Sequence, residues 1–224
     1  MNKNYEKIVS LVCNTLVEAG STFREDKKKA YKRAIASEDN EKAKWVLETV
    51  LANVEAAEKN HSPLCDDTGI PHIVLEIGPD AAVTGRMLDA IREGIAKGLR
   101  KLPGRPMGIM GDDCRRIDQS GGLNPDSAGV EPAPILIRRC QDNVIRLHIL
   151  MFGGGPAIRA KTYRVFHKHN MQVVLDEIVN WATEGVAQLG CSPCTLAVGV
   201  GRSHFEATSM MLQAQVDGRY DLQS

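Results

Sequence analysis

The first sixty residues carry apolar side chains at helical intervals, with polar residues between them. Ile8, Leu11, Val12, Leu16 and Val17 fall on one face of a helix. The spacing predicts helices over Tyr5 to Ala19, Arg24 to Ser37 and Asn40 to Glu58. The third carries Trp45, Val46, Val50, Leu51 and Val54 at helical spacing, and Asn40 is placed to cap its start. Lys27-Lys28-Lys29 lies beside Glu25 and Asp26 and reads as a solvated helix face. From His61 the texture changes. Pro63, Gly69 and Pro71 punctuate a loop, and Ile73-Val74-Leu75-Glu76-Ile77 reads as a strand.

Helical periodicity returns over residues 80–100 through Val83, Met87, Leu88, Ile91 and Ile95. Residues 103–134 are rich in Gly, Pro and Asp without a clear period; such a loop is usually functional or covers another surface. Two strands follow, Ile135 to Arg139 and Val144 to Phe152, joined by a turn near Asp142-Asn143. A helix is predicted over Val173 to Gln188, a short buried strand over Thr195 to Val200, and a last helix after Ser203. There is no internal repeat. These elements predict an α+β fold in a single domain over 1–224. A helical segment fills 1–60, and a mixed, mostly antiparallel sheet with flanking helices fills 61–224.

Composition narrows the function classes. Lys plus Arg and Asp plus Glu each number 28, so the net charge is zero, and aromatics make up 4% of the chain. That balance argues against nucleic-acid binding, which needs surplus cations for the backbone and aromatic rings for stacking. No apolar run is long enough for a membrane span. Ser10, Asn14 and Glu18 break the N-terminal apolar stretch, which lacks the form of an export signal. The six cysteines, at 13, 65, 114, 140, 191 and 194, are then expected as thiols or metal ligands in a reducing, cytoplasmic compartment.

Four short stretches carry candidate chemistry. In Cys65-Asp66-Asp67-Thr68-Gly69 a thiol adjoins two carboxylates, a set that can ligate a metal, transfer protons, or form an Asx-turn around a buried cysteine. Gly153-Gly154-Gly155 follows a strand and can turn the chain or offer backbone N–H groups to an anion, with Arg159 and Lys161 nearby. Cys191-Ser192-Pro193-Cys194 can be a redox pair, half a zinc site, or two buried thiols. His204 and Glu206 share the H-x-E spacing of zinc deaminases, but the cysteine pair precedes them, which is the wrong order. Ser203 and Glu206 read better as a capping box.

Taken in order along the chain, these stretches resemble the iron–sulfur hydro-lyases of the class I fumarase and L-tartrate dehydratase family. Cys65-Asp66-Asp67-Thr68-Gly69 is similar to the family's C-Q-D-T-G, and Leu99-Arg100 followed by Pro106 to its arginine segment. Gly153 to Gly155 resembles its glycine triplet, and Cys191-x-Pro193 before Gly199-Val200-Gly201 its second cysteine. The resemblance covers about residues 5 to 215 and identifies the chain as an α subunit.

It implies a [4Fe–4S] cluster held by three cysteines, Cys65 and Cys191 among them, with one iron open to the substrate hydroxyl. Asp67 would be catalytic, and Asp66, Arg100 and the Gly155 backbone would hold the carboxylates of a small dicarboxylic hydroxy acid. A β subunit carrying the C-terminal catalytic domain would complete a hetero-oligomer. Three departures accompany the likeness. The family's third cysteine and a catalytic histidine lie beyond residue 224, which suggests a shortened chain or a split gene. Position 66 is Asp where the family usually has Gln, and Pro156-Ala157-Ile158-Arg159 replaces the usual polar residues, which suggests a substrate other than fumarate or a weakened activity. Two rivals stay open: an inactive subunit remnant that serves assembly, and a zinc- or thiol-dependent enzyme using Cys191 and Cys194.

Overall fold

The structure, a computed structural model, describes residues 3–102, 104–105, 108–189, 191, 193–220 and 222, with backbone alone at 156–158. Pro106, Gly190 and Ser192 of the motifs above lie outside the described residues. The chain separates into two compact units, residues 1–154 with 218–224, and residues 155–217.

The first unit begins with α1 (Lys3–Ser21), α2 (Glu25–Ser37) and α3 (Glu41–Asn60). Asn40 caps α3 as its sequence position predicts, its side chain accepting from the backbone N–H groups of Lys42 and Ala43 at 3.0 and 3.1 Å. The helix stops at His61 in the left-handed region (φ 49°), whose N–H returns to the Ala57 and Glu58 carbonyls. The buried stripe of α3 differs from the expected one. Leu47, Val54 and Ala57 face inward, while Trp45 is 66% exposed. Two residues along a helix turn the chain by about 200°, so Trp45 and Leu47 point to opposite sides.

A three-stranded sheet follows. Strand β1 (Ile70–Ile77) lies in the centre, parallel to β2 (Leu136–Arg139) and antiparallel to β3 (Ile145–Phe152). The sheet is mixed, with an antiparallel ladder twice the length of the parallel one, and with its flanking helices it makes an α+β fold. The turn near Asp142-Asn143 joins β2 to β3, yet these strands do not pair, because β1 lies between them. The apolar run Ile73-Val74-Leu75 accounts for this order, since the central position buries it most fully.

Helix α4 (Gly85–Lys101), capped by the Thr84 hydroxyl, packs with α1 over one face of the sheet. Val12, Leu16, Ile73, Leu75, Ile95 and Leu99 form the centre of this core. The two helices approach closely because Gly94 and Gly98 face α1. A Cβ at Gly94 would sit 2.6 Å from the Val12 Cβ and 2.8 Å from the Val9 carbonyl oxygen, which cannot yield. Gly94→Ala is therefore expected to destabilise the chain by about 1–3 kcal/mol in urea unfolding. The gain in helix propensity, about 1 kcal/mol, opposes this only partly. An unchanged midpoint would refute the close crossing.

On the opposite sheet face Glu76 is 8% exposed, and its neighbours in register are Arg138 on β2 and Arg146 on β3. Arg138 Nε donates to Oε1 at 2.9 Å, Arg146 Nη1 to Oε2 at 2.6 Å, and His148 Nε2 lies 3.4 Å from Oε2. Chiefly through the Arg146 hydrogen bond, and against the opposing effect of burial, the Glu76 carboxyl is held down at about 2. Its depressed value means that the stabilisation is complete above the ordinary carboxyl range and is lost as the pH falls from about 4.5 to about 2. Glu76→Gln should flatten this acid limb of the stability curve and cost about 3 kcal/mol at neutral pH, the equivalent of its lowered pKa, since Arg138 and Arg146 both lose this carboxylate and Arg146 is left with its pairing to Asp142. Equal acid midpoints for the two proteins would disprove the assignment.

Residues 108–134 contain α5 (Asp113–Asp118), a single 3₁₀ turn at Ser127–Gly129, and a bridge between Ile109 and Leu123. Helix α6 (Gly154–Arg159) begins at the unit boundary. The second unit carries α7 (Met171–Ala187) and α8 (His204–Asp217). Tyr163 stacks on Trp181 with ring centroids 4.0 Å apart. The strand expected over Thr195 to Val200 does not form. That segment is irregular, and Leu196, Val198 and Val200 are exposed; among the described residues of this unit there is no strand to pair with it. Ser203 caps α8 as expected, its hydroxyl accepting from Glu206 N–H at 3.2 Å. The Glu206 carboxylate closes on Arg202, taking its backbone N–H at 2.6 Å and its guanidinium at 2.9 Å. Among the described residues no helix is long and apolar enough to cross a membrane.

Candidate functional site

Antiparallel pairing of β1 with β3 fixes what meets the Cys65 loop. Ile70 opposes Phe152, so the residues before β1 must lie beside the glycines after β3. Gly69 makes this approach possible. Its φ is +86°, and a Cβ there would collide with the Phe152 carbonyl and lie 2.6 Å from the Gly153 nitrogen. Two residues earlier, the half-buried Asp67 accepts the Gly154 backbone N–H on Oδ1 at 3.3 Å. A carboxylate is thereby held against the glycine turn.

The other end of the loop is fastened before Cys65. Leu64 N–H donates to the Gly20 carbonyl at 2.9 Å, and Asn53 Nδ2 donates to the Leu64 carbonyl at 3.0 Å. Both backbone groups of the residue preceding Cys65 are therefore satisfied by helices α1 and α3. Cys65 itself is an exposed thiol. The Asp66 carbonyl accepts from Thr68 N–H at 3.1 Å and from Arg105 N–H at 3.0 Å. This brings a second chain segment onto the loop.

Arg100, in the last turn of α4, forms a two-pronged ion pair with Asp126, Nε to Oδ1 at 3.0 Å and Nη2 to Oδ2 at 2.6 Å. The pair raises the Arg100 pKa, and Arg100 together with the Ala128 N–H lowers that of Asp126. Asp126 also caps the 3₁₀ turn, and Ser127 Oγ donates to the Leu99 carbonyl at 2.9 Å. Arg100 thus ties the end of α4 to the 124–129 segment.

In the second unit Gly155 is the second residue of α6, and Cys191 lies after α7. Cys191 and Cys194 are both exposed, which removes the alternative of two buried thiols, and the Cys65 thiol is likewise exposed, which removes that of an Asx-turn around a buried cysteine. All six cysteines are thiols, and thiolate is the donor type that an iron–sulfur cluster takes, so the residues fit such a group in kind. Among the described residues no group of three or more His, Cys, Asp or Glu side chains converges on one point. The open groove along the start of α8, about 620 Å³, is lined by Arg202, Phe205, Glu206 and Met210 and by none of the predicted site residues.

Sequence reasoning found Cys65, Asp66 and Asp67 as chain neighbours and singled out the glycine triplet, of which Gly153 and Gly154 lie against their loop. It missed Asn53, Arg105 and Asp126. Asn53 is an exposed polar position on α3, and Arg105 and Asp126 belong to a stretch without period, so neither a spacing nor a motif marks them.

Comparison with known proteins bears on the family. The family model of fumarate hydratase (Fumerase) matches residues 9–221. A Methanocaldococcus jannaschii protein named as an L(+)-tartrate dehydratase α subunit is 27% identical over 198 residues, which is 87% of this chain and 66% of that protein. A Geobacillus stearothermophilus protein named as a class I fumarate hydratase is 24% identical over 156 residues, covering 69% of this chain and 28% of that protein. The chain spans less than two thirds of the length of these curated relatives. With nearly its whole length matched by the family model, the chain belongs to the fumarate hydratase (Fumerase) family.

Proposed function

We propose that this chain is the α subunit of a hydro-lyase that reversibly removes water from a small hydroxy-dicarboxylic acid of the malate or tartrate type. One observation carries the reading: a carboxylate, Asp67, is fixed by the glycine turn two residues from an exposed thiol, Cys65, on a loop fastened at both ends. Loss of water across a carbon–carbon bond needs a group that takes the proton next to the carboxylate and one that helps the hydroxyl leave. Asp67 suits the first task, and the Gly154 N–H keeps its carboxylate oriented. A [4Fe–4S] cluster held by Cys65 and Cys191 would supply the Lewis acid for the second. Arg100 and the backbone at Gly155 are the proposed contacts to the substrate carboxylates, and Asp66 is a proposed substrate-binding residue beside them. The tartrate dehydratase relative is named as an α subunit, which favours a β chain as partner here.

The test is anaerobic reconstitution with iron and sulfide, alone and with a candidate β chain, followed by dehydration assays on malate and tartrate. A broad absorbance in the blue with turnover dependent on the β chain is the expected result. Tight zinc stoichiometry without the iron chromophore would favour the zinc enzyme. Neither metal nor turnover would leave an assembly subunit and overturn the hydro-lyase reading.

A further inference from the structure

We infer that Arg105 is a second substrate-binding guanidinium and that, paired with Asp66, it selects substrates carrying a hydroxyl beside the carboxylate that Arg105 binds. The inference rests on the hydro-lyase reading and deepens it. Arg105 is brought to the loop by its backbone: its N–H donates to the Asp66 carbonyl at 3.0 Å, and Gly104 abuts the Thr68 side chain so closely that a Cβ could not fit. The Arg105 guanidinium then lies 3.8 Å from the Asp66 carboxylate. That separation makes an ion pair without a hydrogen bond. With side chains 49% and 77% exposed, the pair adds little to stability and is open to a solute. Arg100 differs, since Asp126 already engages its planar fork at two points.

Charge and hydrogen-bond chemistry define what the pair takes. An ionised Asp only accepts hydrogen bonds, so Asp66 repels a substrate carboxylate and favours a donor such as a hydroxyl. The neighbouring guanidinium attracts the carboxylate and offsets the Asp66 charge. Together they read a carboxylate and a hydroxyl on adjacent carbons. In a monohydroxy dicarboxylate the single hydroxyl is the leaving group, and the far carboxylate has no hydroxyl neighbour. In a dihydroxy dicarboxylate one hydroxyl leaves and the other remains to meet Asp66. The pair therefore favours the dihydroxy substrate class, of which L-tartrate is the probe.

The experiment uses the full chain with its partner and reads both kinetics and labelling. Arg105→Gln should raise KM for L-tartrate at least about 10-fold with a smaller change in kcat, and Arg105→Lys should recover part of that loss, keeping the charge without the fork. Asp66→Gln should lower the tartrate-to-malate ratio of kcat/KM about 10-fold or more, because the hydroxyl loses its ionised acceptor. Phenylglyoxal labelling mapped by peptide mass spectrometry should show Arg105 protected by L-tartrate. If the wild-type complex dehydrates tartrate or malate while these variants keep its KM and its substrate ratio, the Arg105–Asp66 inference is overturned and the hydro-lyase reading stands. If the complex dehydrates neither, that reading fails, and an Arg105 labelled equally with and without tartrate removes this inference as well.

Discussion

Asp67→Asn is expected to lower kcat for dehydration by about 10²–10⁴-fold, the range typical of removing a proton-transfer group. KM and cluster absorbance should stay near the wild-type values. The substitution separates chemistry from architecture. Asparagine keeps an oxygen where Asp67 Oδ1 accepts the Gly154 N–H at 3.3 Å, so the loop retains its seat on the glycine turn. What it removes is the capacity to take a proton from carbon. A kcat within about 3-fold of wild type, with the cluster chromophore intact, would exclude Asp67 as the base. A lost chromophore would instead give Asp67 a part in holding the loop that bears Cys65. Alanine at the same position removes both capacities, so comparison of the two variants measures the orienting hydrogen bond separately.

What could be read from the chain follows from which signals are local. Asn40 before an apolar period marks a helix start because the cap acts on N–H groups two and three residues on. The β1 run from Ile73 to Ile77 was legible because buried β-branched residues between turn signals suit a strand. Thr195 to Val200 has the same texture, yet it forms no strand, since texture gives no information about whether a partner is available. The order β2-β1-β3 was hidden for a related reason: a turn at Asp142-Asn143 joins two strands but does not require them to pair.

The site divides in the same way. Cys65, Asp66 and Asp67 stand together in the chain and needed only their chemistry to be noticed. Arg100 and Asp126 are 26 residues apart and meet through the packing of a 3₁₀ turn on α4. Asn53 reaches Leu64 because the αL residue His61 turns the chain back along α3. Such contacts depend on tertiary proximity, which no short-range pattern encodes.

Gly69→Val should destabilise the first unit by about 2–5 kcal/mol and abolish the cluster chromophore. Two costs combine. At φ +86° a β-branched residue suffers backbone strain of about 1–2 kcal/mol. Its Cβ would also strike the Phe152 carbonyl and the Gly153 nitrogen, backbone atoms held by the β1–β3 ladder, and overpacking of that kind costs about 1–3 kcal/mol. Against a total stability of about 5–15 kcal/mol for a typical domain, this is a large loss. The loop has one route to relief, which is to swing away from β3. That movement pulls Asp67 from Gly154 and displaces Cys65, two positions before it. Gly85→Ala is the matched control: Gly85 opens α4, has no positive φ, and a Cβ there meets nothing within 4 Å. That variant should be neutral or slightly stabilised, by up to about 1 kcal/mol. Urea unfolding followed by circular dichroism gives the stability, and absorbance after reconstitution gives the cluster. If Gly69→Val unfolds at the wild-type urea concentration and still takes up iron and sulfide, the loop does not sit against Phe152 and Gly153, and the link between the glycine turn and the Cys65 loop is lost.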